Sequence, residues 1–253
     1  MGCFGGLLGI GGSTIMIPAM LMAFGPNQHL YQAAAMLCNF FVAVSAVVAH
    51  KKANALVPSA LKKLIPTAVV GIIIGVSFSN MQLFAGDRSY ILSRCFGVFL
   101  IYVVVYNTFK FRPAKASSYE ESSPPETVPA LSMSVGLASG VGAGLLGIGA
   151  GTISTPFQQL FMKIPLKNAM SNSAAMIMSI ALIGGIYKTL TLGQHGAEPV
   201  DAVKIAAIIV PTALVGGYAG AHMMHRLPVN VVRAIFIGLV ILASFKMLTA
   251  GPN

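Results

Sequence analysis

Two glycine-rich stretches contain the residues of this chain that are the strongest candidates for a binding site. Gly6 to Pro18 reads GLLGIGGSTIMIP and Gly144 to Pro156 reads GLLGIGAGTISTP, with nine of thirteen positions identical at an offset of 138 residues. Neither copy contains a charged side chain. Each glycine costs roughly 0.5 to 1 kcal/mol relative to alanine inside a helix. Both copies therefore predict a break in a helix.

Such a break offers a binding site for a negatively charged solute. It presents backbone N–H groups and the N-terminus of a half-helix, which carries a partial positive charge. Inside a membrane, unwound backbone is tolerated only where it lines a cavity or is covered by protein. Hydroxyl donors lie at each break or on the turn that follows: Ser13, Thr14, Thr152, Ser154 and Thr155. The breaks therefore predict an anion site near the middle of the bilayer.

Close helix packing is the alternative role for these glycines, because small residues four apart let two helices approach each other. We favour binding for the stretches 9–13 and 147–152. We favour packing for four glycines outside the breaks, which are Gly71, Gly75, Gly216 and Gly220.

The next apolar segment after each break supplies further polar atoms, including Asn39 in the first and Asn172 and Ser173 in the second. An unpaired amide in hydrocarbon costs several kcal/mol, so both asparagines must be paired with protein, water or solute. Interhelical hydrogen bonding and ligand contact both remain open for them. The candidate substrate-binding residues are Gly9, Gly11, Gly12, Ser13, Thr14, Asn39, Gly147, Gly149, Gly151, Thr152, Asn172 and Ser173.

Other chemistries find less support. No carboxylate lies inside an apolar block, which argues against a cation carrier built on buried Asp or Glu. The basic residues Lys188, Lys204, Arg94 and Arg233 lie near segment ends, where we expect them to anchor helices at the interface. His50 and His222 also lie at segment ends, where we expect solvated side chains. No catalytic residue, cofactor or metal site is predicted, because neither a serine–histidine pattern nor an HExxH-type cluster occurs.

Composition indicates a multi-pass membrane protein. The 253 residues are 56% apolar and only 9% charged, and the mean hydropathy is +0.81, whereas a soluble domain has about 25% charged residues. The net charge of +10 resides in short loops between apolar segments, so it predicts membrane orientation rather than nucleic-acid binding. The sequence thus predicts an all-α polytopic membrane helix bundle.

About eight apolar segments form two homologous halves whose first helices are broken by glycine. The segments run from about Gly2 to Phe24, Leu30 to Ala49, Leu64 to Ser79, Tyr90 to Phe109, Pro129 to Met162, Asn168 to Leu190, Asp201 to His222 and Val229 to Leu248. A short amphipathic stretch around residues 58–63 precedes the third. A second repeated anchor, IPTAVVGIIIG at Ile65 and VPTALVGGYAG at Val210, matches at six of eleven positions. We place the first half at 1–110, a polar linker at 111–128 and the second half at 129–253.

The glycine segments allow two topologies. If each crosses the membrane fully, each half has four crossings and the halves are parallel. If each dips in and returns as a hairpin, each half has three crossings and the halves are inverted. Both arrangements place the lysine-rich loop from Lys51 to Lys63 in the cytoplasm. The fifth segment, 34 residues long, would measure roughly 51 Å as one helix against roughly 30 Å of hydrocarbon, so it must break at 147–151.

The paired motifs GLLGIGGSTIMIP and GLLGIGAGTISTP, the acidic linker between them and the repeated PTA-V-G-G anchor resemble the TauE/SafE sulfite exporter family, also grouped as sulfonate uptake permeases. The resemblance covers nearly the whole chain. It implies an integral membrane transporter of small sulfur-containing or organic anions, built from two related four-segment halves. The chain departs from the family pattern at Ser13, where a third glycine is frequent, and at Ala150 within the second motif.

We therefore expect a secondary transporter, not an enzyme, that binds sulfite or an organosulfonate between the two breaks. Its expected partners are the small anion and the lipid bilayer, with a homo-oligomer left open and nucleic acid excluded. The expected location is the plasma membrane. Two alternatives remain, a thiol relay that carries electrons through Cys3 and Cys38 and a membrane receptor without transport.

Overall fold

The structure is a computed structural model. It describes residues 1–9, 11–25, 27–81 and 129–248, together with isolated positions between 91 and 108. The polar linker at 111–128 and most of the fourth predicted segment lie outside the described residues.

The described residues form nine α-helices and one short 3-10 helix, with no strand among them. In chain order the helices are α1 Gly2–Leu8, α2 Ser13–Phe24, α3 Gln28–Lys52, α4 Pro58–Ser79, α5 Pro129–Leu146, α6 Gly151–Phe161, α7 Leu166–Leu190, the 3-10 helix Leu192–His195, α8 Pro199–Arg226 and α9 Val229–Leu248. Five of them, α3, α4, α5, α7 and α8, are long and apolar enough to cross a membrane. The prediction of an all-α multi-pass membrane bundle is confirmed.

Local sequence explains most helix boundaries. The side chain of Asn27 accepts a hydrogen bond from the backbone N–H of Leu30 at 3.3 Å and caps α3. Pro58 and Pro199 begin α4 and α8, where a missing N–H costs nothing. The last turn of α3 carries basic side chains next to its negative dipole end.

One predicted boundary is wrong. The third segment was expected to start near Leu64 after a separate amphipathic stretch, but α4 is continuous from Pro58 to Ser79. Lys62 is exposed and Leu64 is fully buried, so the amphipathic stretch is the first two turns of the same helix. Helical hydrogen bonding continues through Pro66, which lies inside α4.

Glycines bring two pairs of helices into close contact. A Cβ at Gly75 would collide with the backbone of Val141, and one at Gly140 would collide with the backbone of Ala68, which joins α4 to α5. A Cβ at Gly220 would likewise meet the backbone of Cys3, which joins α8 to α1. These contacts show the close packing that was expected for the glycines outside the breaks.

The two halves are inverted relative to each other. The equivalent helices α3 and α7 run antiparallel, because Leu37 lies against Gly185 whereas Ala46 clusters with Ala174. A two-fold axis along the membrane normal would keep equivalent helices parallel. The pseudo-two-fold axis therefore lies in the membrane plane, as in many secondary transporters.

Each glycine segment folds back on itself. In the first half, α1 runs in the same direction as α8, since Gly2 lies beside Ala213 and Gly6 beside Gly217. Helix α3 also runs along α8 in that direction, from Cys38 near Ala206 to His50 near His225. Helix α2 runs antiparallel to α3, because residues 24 and 28 flank a tight turn while Ser13 reaches Asn39. Helices α1 and α2 thus form a hairpin, as the inverted arrangement of the halves predicts.

Candidate functional site

Both glycine motifs break the helix with the same backbone turn. Gly9 and Gly11 have φ of 60° and 77°, and Gly147 and Gly149 have φ of 71° and 75°. These are left-handed conformations, which glycine adopts without the steric cost that a Cβ brings. The predicted interruptions at 9–13 and 147–152 are therefore present. The repeat has preserved the shape of the turn in both copies.

The two breaks touch each other in the interior of the bundle. The hydroxyl of Ser13 donates a hydrogen bond to the backbone carbonyl of Ile148. Both residues are completely buried. The start of α2 and the turn before α6 therefore meet at the interface between the halves, as a site shared by the two repeats requires.

Asn39 of α3 lies directly against the first break. Its Oδ1 accepts a hydrogen bond from the backbone N–H of Ser13 at 3.2 Å, and its Nδ2 donates to Ser13 Oγ at 2.8 Å. A Cβ at Gly11 would lie 3.0 Å from Asn39 Oδ1, so a larger residue there would press on the amide. Both polar atoms of the Asn39 side chain thus hold the first break in place.

Thr14 and Thr152 are the unpaired hydroxyls of the two breaks. They occupy the same position in the repeat, both are completely buried, and neither hydroxyl has a hydrogen-bond partner. A buried polar group without a partner costs about 1 to 3 kcal/mol. These two hydroxyls therefore retain unused hydrogen-bonding capacity at the start of α2 and of α6.

The half-helices that follow the breaks start without a side-chain cap. Gly12 precedes α2 and Ala150 precedes α6, and neither provides a capping hydrogen bond. The first N–H groups of a helix have no acceptor within the helix and lie at its positive dipole end. Asn39 accepts one of them at α2. This arrangement favours an anion between the two helix starts.

The described acidic residues lie away from the breaks. They are Glu198 and Asp201, at the start of α8, and Asp201 forms an exposed ion pair with Lys204 at 3.4 Å. No carboxylate among the described residues therefore opposes a negative solute at the breaks.

Gln32 is a functional candidate that the sequence reasoning missed. Its Nε2 donates to the carbonyl of Leu146 at 3.1 Å, and its side chain fills the space where a Cβ on Gly147 would lie. At the equivalent position of the first half, Gly9 lies against the backbone of Met170, the counterpart of Gln32. Gln32 precedes Asn39 by seven residues, so both lie on one face of α3. This seven-residue spacing is visible in the sequence and could have identified Gln32 as a candidate.

Asn172 and Ser173, on α7, lie against the middle of α6 rather than against its start. Ser173 Oγ is 3.0 Å from Thr155 Oγ1 and accepts from Gln158 Nε2 at 3.2 Å. Asn172 donates to Gln158 Oε1 at 3.0 Å and accepts from the backbone N–H of Val57 at 2.9 Å. A row of paired polar side chains therefore continues from the second break toward the α3–α4 connection.

The two described cysteines do not form a relay. Both are free thiols, and Cys3 packs against Gly216 and Gly220 whereas Cys38 approaches the carbonyl of Ala206. These contact points lie ten or more residues apart on α8, which corresponds to about 15 Å of helix. Electron transfer by direct thiol exchange needs a far shorter separation.

An inverted bundle with two broken helices that meet in its interior is an arrangement typical of multi-pass membrane transporters built from inverted repeats. The sequence model of the family described as sulfite exporter TauE/SafE matches residues 1–247. The chain belongs to this family, and the resemblance seen in its motifs is confirmed.

Similar proteins are named as transporters. A probable membrane transporter protein, MamO, of Magnetospirillum gryphiswaldense is 27% identical over 277 residues, covering 98% of this chain and 43% of MamO. MamO of Paramagnetospirillum magneticum is 26% identical with the same coverage. A probable membrane transporter protein of Methanocaldococcus jannaschii is 26% identical over 85% of this chain and 76% of its own length. The chain thus spans less than half of the MamO proteins. No solved structure matches.

Proposed function

We propose that this protein is a secondary transporter of a small anion, with sulfite or an organosulfonate as the first candidates. The observation that carries the proposal is the meeting of two broken helices at Ser13 and Ile148, with two unpaired hydroxyls beside them on Thr14 and Thr152. The transport class comes from the family, and the preference for sulfur oxyanions comes from the family's description.

The proposed site uses backbone and hydroxyl donors in place of the solute's hydration shell. Thr14 and Thr152 donate to the anion together with the first N–H groups of α2 and α6. Ser13 and Asn39 hold the two breaks together. The glycines of the two breaks leave the proposed site free of side chains: Gly9, Gly11, Gly12, Gly147, Gly149 and Gly151. Asn172 and Ser173 belong to the polar row that supports α6.

A sulfite or sulfonate group fits this chemistry because three oxygens carry its charge and each accepts hydrogen bonds. Hydrogen bonds to an ionised oxygen are about twice as strong as those between neutral groups. A site without a carboxylate favours such a solute over a cation. We also propose that the protein resides in the plasma membrane with the 53–57 connection in the cytoplasm, since lysines flank that connection.

Anion flux into proteoliposomes tests the proposal. The purified protein is reconstituted and sulfite uptake is compared for the wild type, Thr14→Val, Thr152→Val and the double variant. Valine keeps the shape of threonine and removes the hydroxyl, so we expect flux to fall about 10-fold or more in the double variant. Thr212→Val is the matched control, because Thr212 is exposed on α8 and bonds only its own helix.

Gly11→Leu and Gly149→Leu test the turns themselves, since both glycines have positive φ. We expect both variants to lose flux. Folded double-threonine and leucine variants that transport sulfite at the wild-type rate would falsify the site. A wild-type protein that moves neither sulfite nor taurine nor any other tested anion would contradict the transport proposal as a whole.

A further inference from the structure

Lys188, near the end of α7, is buried inside the bundle. Its side chain is 1% exposed, although a lysine at a helix end was expected to extend to the interface. Its Nζ donates to Ser79 Oγ at 2.5 Å and to Asn80 Oδ1 at 3.1 Å, at the end of α4. The expected anchoring role is therefore wrong for this residue.

The groups around Lys188 form one connected polar cluster. Asn80 Nδ2 donates to Thr191 Oγ1 at 2.9 Å, and His195 Nε2 lies 3.3 Å from Asn80 Oδ1. The His195 ring stacks on His29 of α3, with centroids 3.7 Å apart and planes 4° apart. The 3-10 helix thus closes this end of the bundle over Lys188.

The cluster holds a cation whose described partners are all neutral. Ser79 contributes a hydroxyl and Asn80 an amide oxygen. Among the described residues, the ion pair within 4 Å is the one between Lys204 and Asp201. Lys188 has no described acidic partner within that distance. A buried ammonium is costly unless a negative charge accompanies it. An ammonium has three donors, and Ser79 and Asn80 account for two.

A second group in the cluster also has unused capacity. His195 Nδ1 is buried and has no hydrogen-bond partner. Burial and the nearby charge of Lys188 lower the pKa of His195 below its usual value. This shift favours the neutral form of the imidazole.

We propose that Lys188, Ser79, Asn80 and His195 form a second anion site, which binds a small oxyanion such as sulfite at this end of the bundle. The site is separate from the helix breaks. His29, which stacks on His195, lies one turn from Gln32 on α3, and Gln32 contacts the second break. The second site is thus linked along α3 to the second break. A role of this site in transport rests on the proposed function, whereas binding does not.

Titration calorimetry of the purified 253-residue protein with sodium sulfite tests the site. We expect two binding events in the wild type and one in Lys188→Gln, with affinity at the lost site about 10- to 100-fold weaker. Lys188→Arg keeps the charge and should retain both events. Lys204→Gln is the matched control, because Lys204 is an exposed lysine paired with Asp201. The Thr14→Val, Thr152→Val double variant should lose the other event.

The outcomes separate the two proposals. Unchanged sulfite binding in Lys188→Gln, measured on protein with wild-type thermal stability, overturns the second site. If Lys188→Gln does not fold, Asn80→Ala takes its place, and unchanged binding there overturns it equally. Asp87 lies seven residues after Asn80 in the sequence, outside the described residues, and pairing of its carboxylate with Lys188 is the competing outcome. Unfolding of Asp87→Asn that Lys188→Gln rescues would show this and contradict the anion site. The wild-type protein could also show no sulfite flux while Lys188→Gln still loses one binding event. That result would support the second site and contradict the transport proposal.

Discussion

The two glycine breaks have nearly the same sequence and the same backbone turn, yet different surroundings hold them. Asn39 fixes the first break through the backbone and hydroxyl of Ser13. At the equivalent positions of the second half the chain has Ile177 and Gly151. These residues offer no side-chain hydrogen bond, so the second break lacks this clamp.

The polar row shows the opposite asymmetry. Along α6 and α7 it consists of Ser154, Thr155, Gln158, Asn172 and Ser173. The equivalent positions of α2 and α3 are apolar, and they are Met16, Ile17, Met20, Ala34 and Ala35. The two halves therefore share the backbone turn, whereas the side chains around the turn are polar in the second half and apolar in the first. We infer that the first break is the fixed side of the site and the second is the polar side.

Replacing the first glycine of a break, Gly9 or Gly147, with alanine should have the largest effect on stability. The size of that effect should differ between the two halves. Gly9 faces the backbone of Met170, which cannot move aside, whereas Gly147 faces the flexible side chain of Gln32. Both substitutions also incur roughly 1 to 2 kcal/mol for a left-handed non-glycine residue. We expect Gly9→Ala to lower the melting temperature in detergent more than Gly147→Ala. Gly193→Ala, at a glycine with nothing within 4 Å, is the control. Equal losses in the two variants would contradict the comparison.

Asn39→Ile makes the first break resemble the second and should have the next largest effect. It leaves the Ser13 N–H without its acceptor, at a cost of about 1 to 3 kcal/mol in unfolding free energy. We expect sulfite flux to fall with it because the break loses its fixed position. Asn168→Ala on α7 is a matched control, since Asn168 bonds only the carbonyl of Ala55. A stable Asn39→Ile variant with full flux would show that the clamp is dispensable.

Ser13→Gly should have the smallest effect of the three. It copies Gly151 into the first half and removes only the hydroxyl that joins the breaks. The two hydrogen bonds of the hydroxyl, to the carbonyl of Ile148 and from Asn39 Nδ2, are lost, while the backbone N–H of residue 13 keeps its acceptor. At about 0.6 kcal/mol for each bond between membrane helices, the loss corresponds to roughly 5- to 10-fold in sulfite flux. A larger loss than in Asn39→Ile would mean that Ser13 touches the solute itself. Uptake rates of the two variants, measured side by side, decide this.

Sequence alone determined where the helices lie and where they break. Apolar runs set most of the segments, and glycines compatible with positive φ set the interruptions at Gly9 and Gly147. The family also follows from local motifs. These features depend on a residue and its close neighbours in the chain, which is why they can be predicted.

Only the tertiary structure decided which helices meet and in which direction. The inversion of the halves and the burial of Lys188 of α7 against the end of α4 follow from contacts between residues more than a hundred positions apart. The hairpin of α1 and α2 likewise depends on how both helices pack against α3 and α8. The same lysine at a helix end could extend to water or turn inward. Packing against Ser79 and Asn80 selects the inward position, because it is the arrangement of neighbouring helices, and not the local sequence, that provides the partners for a buried charge.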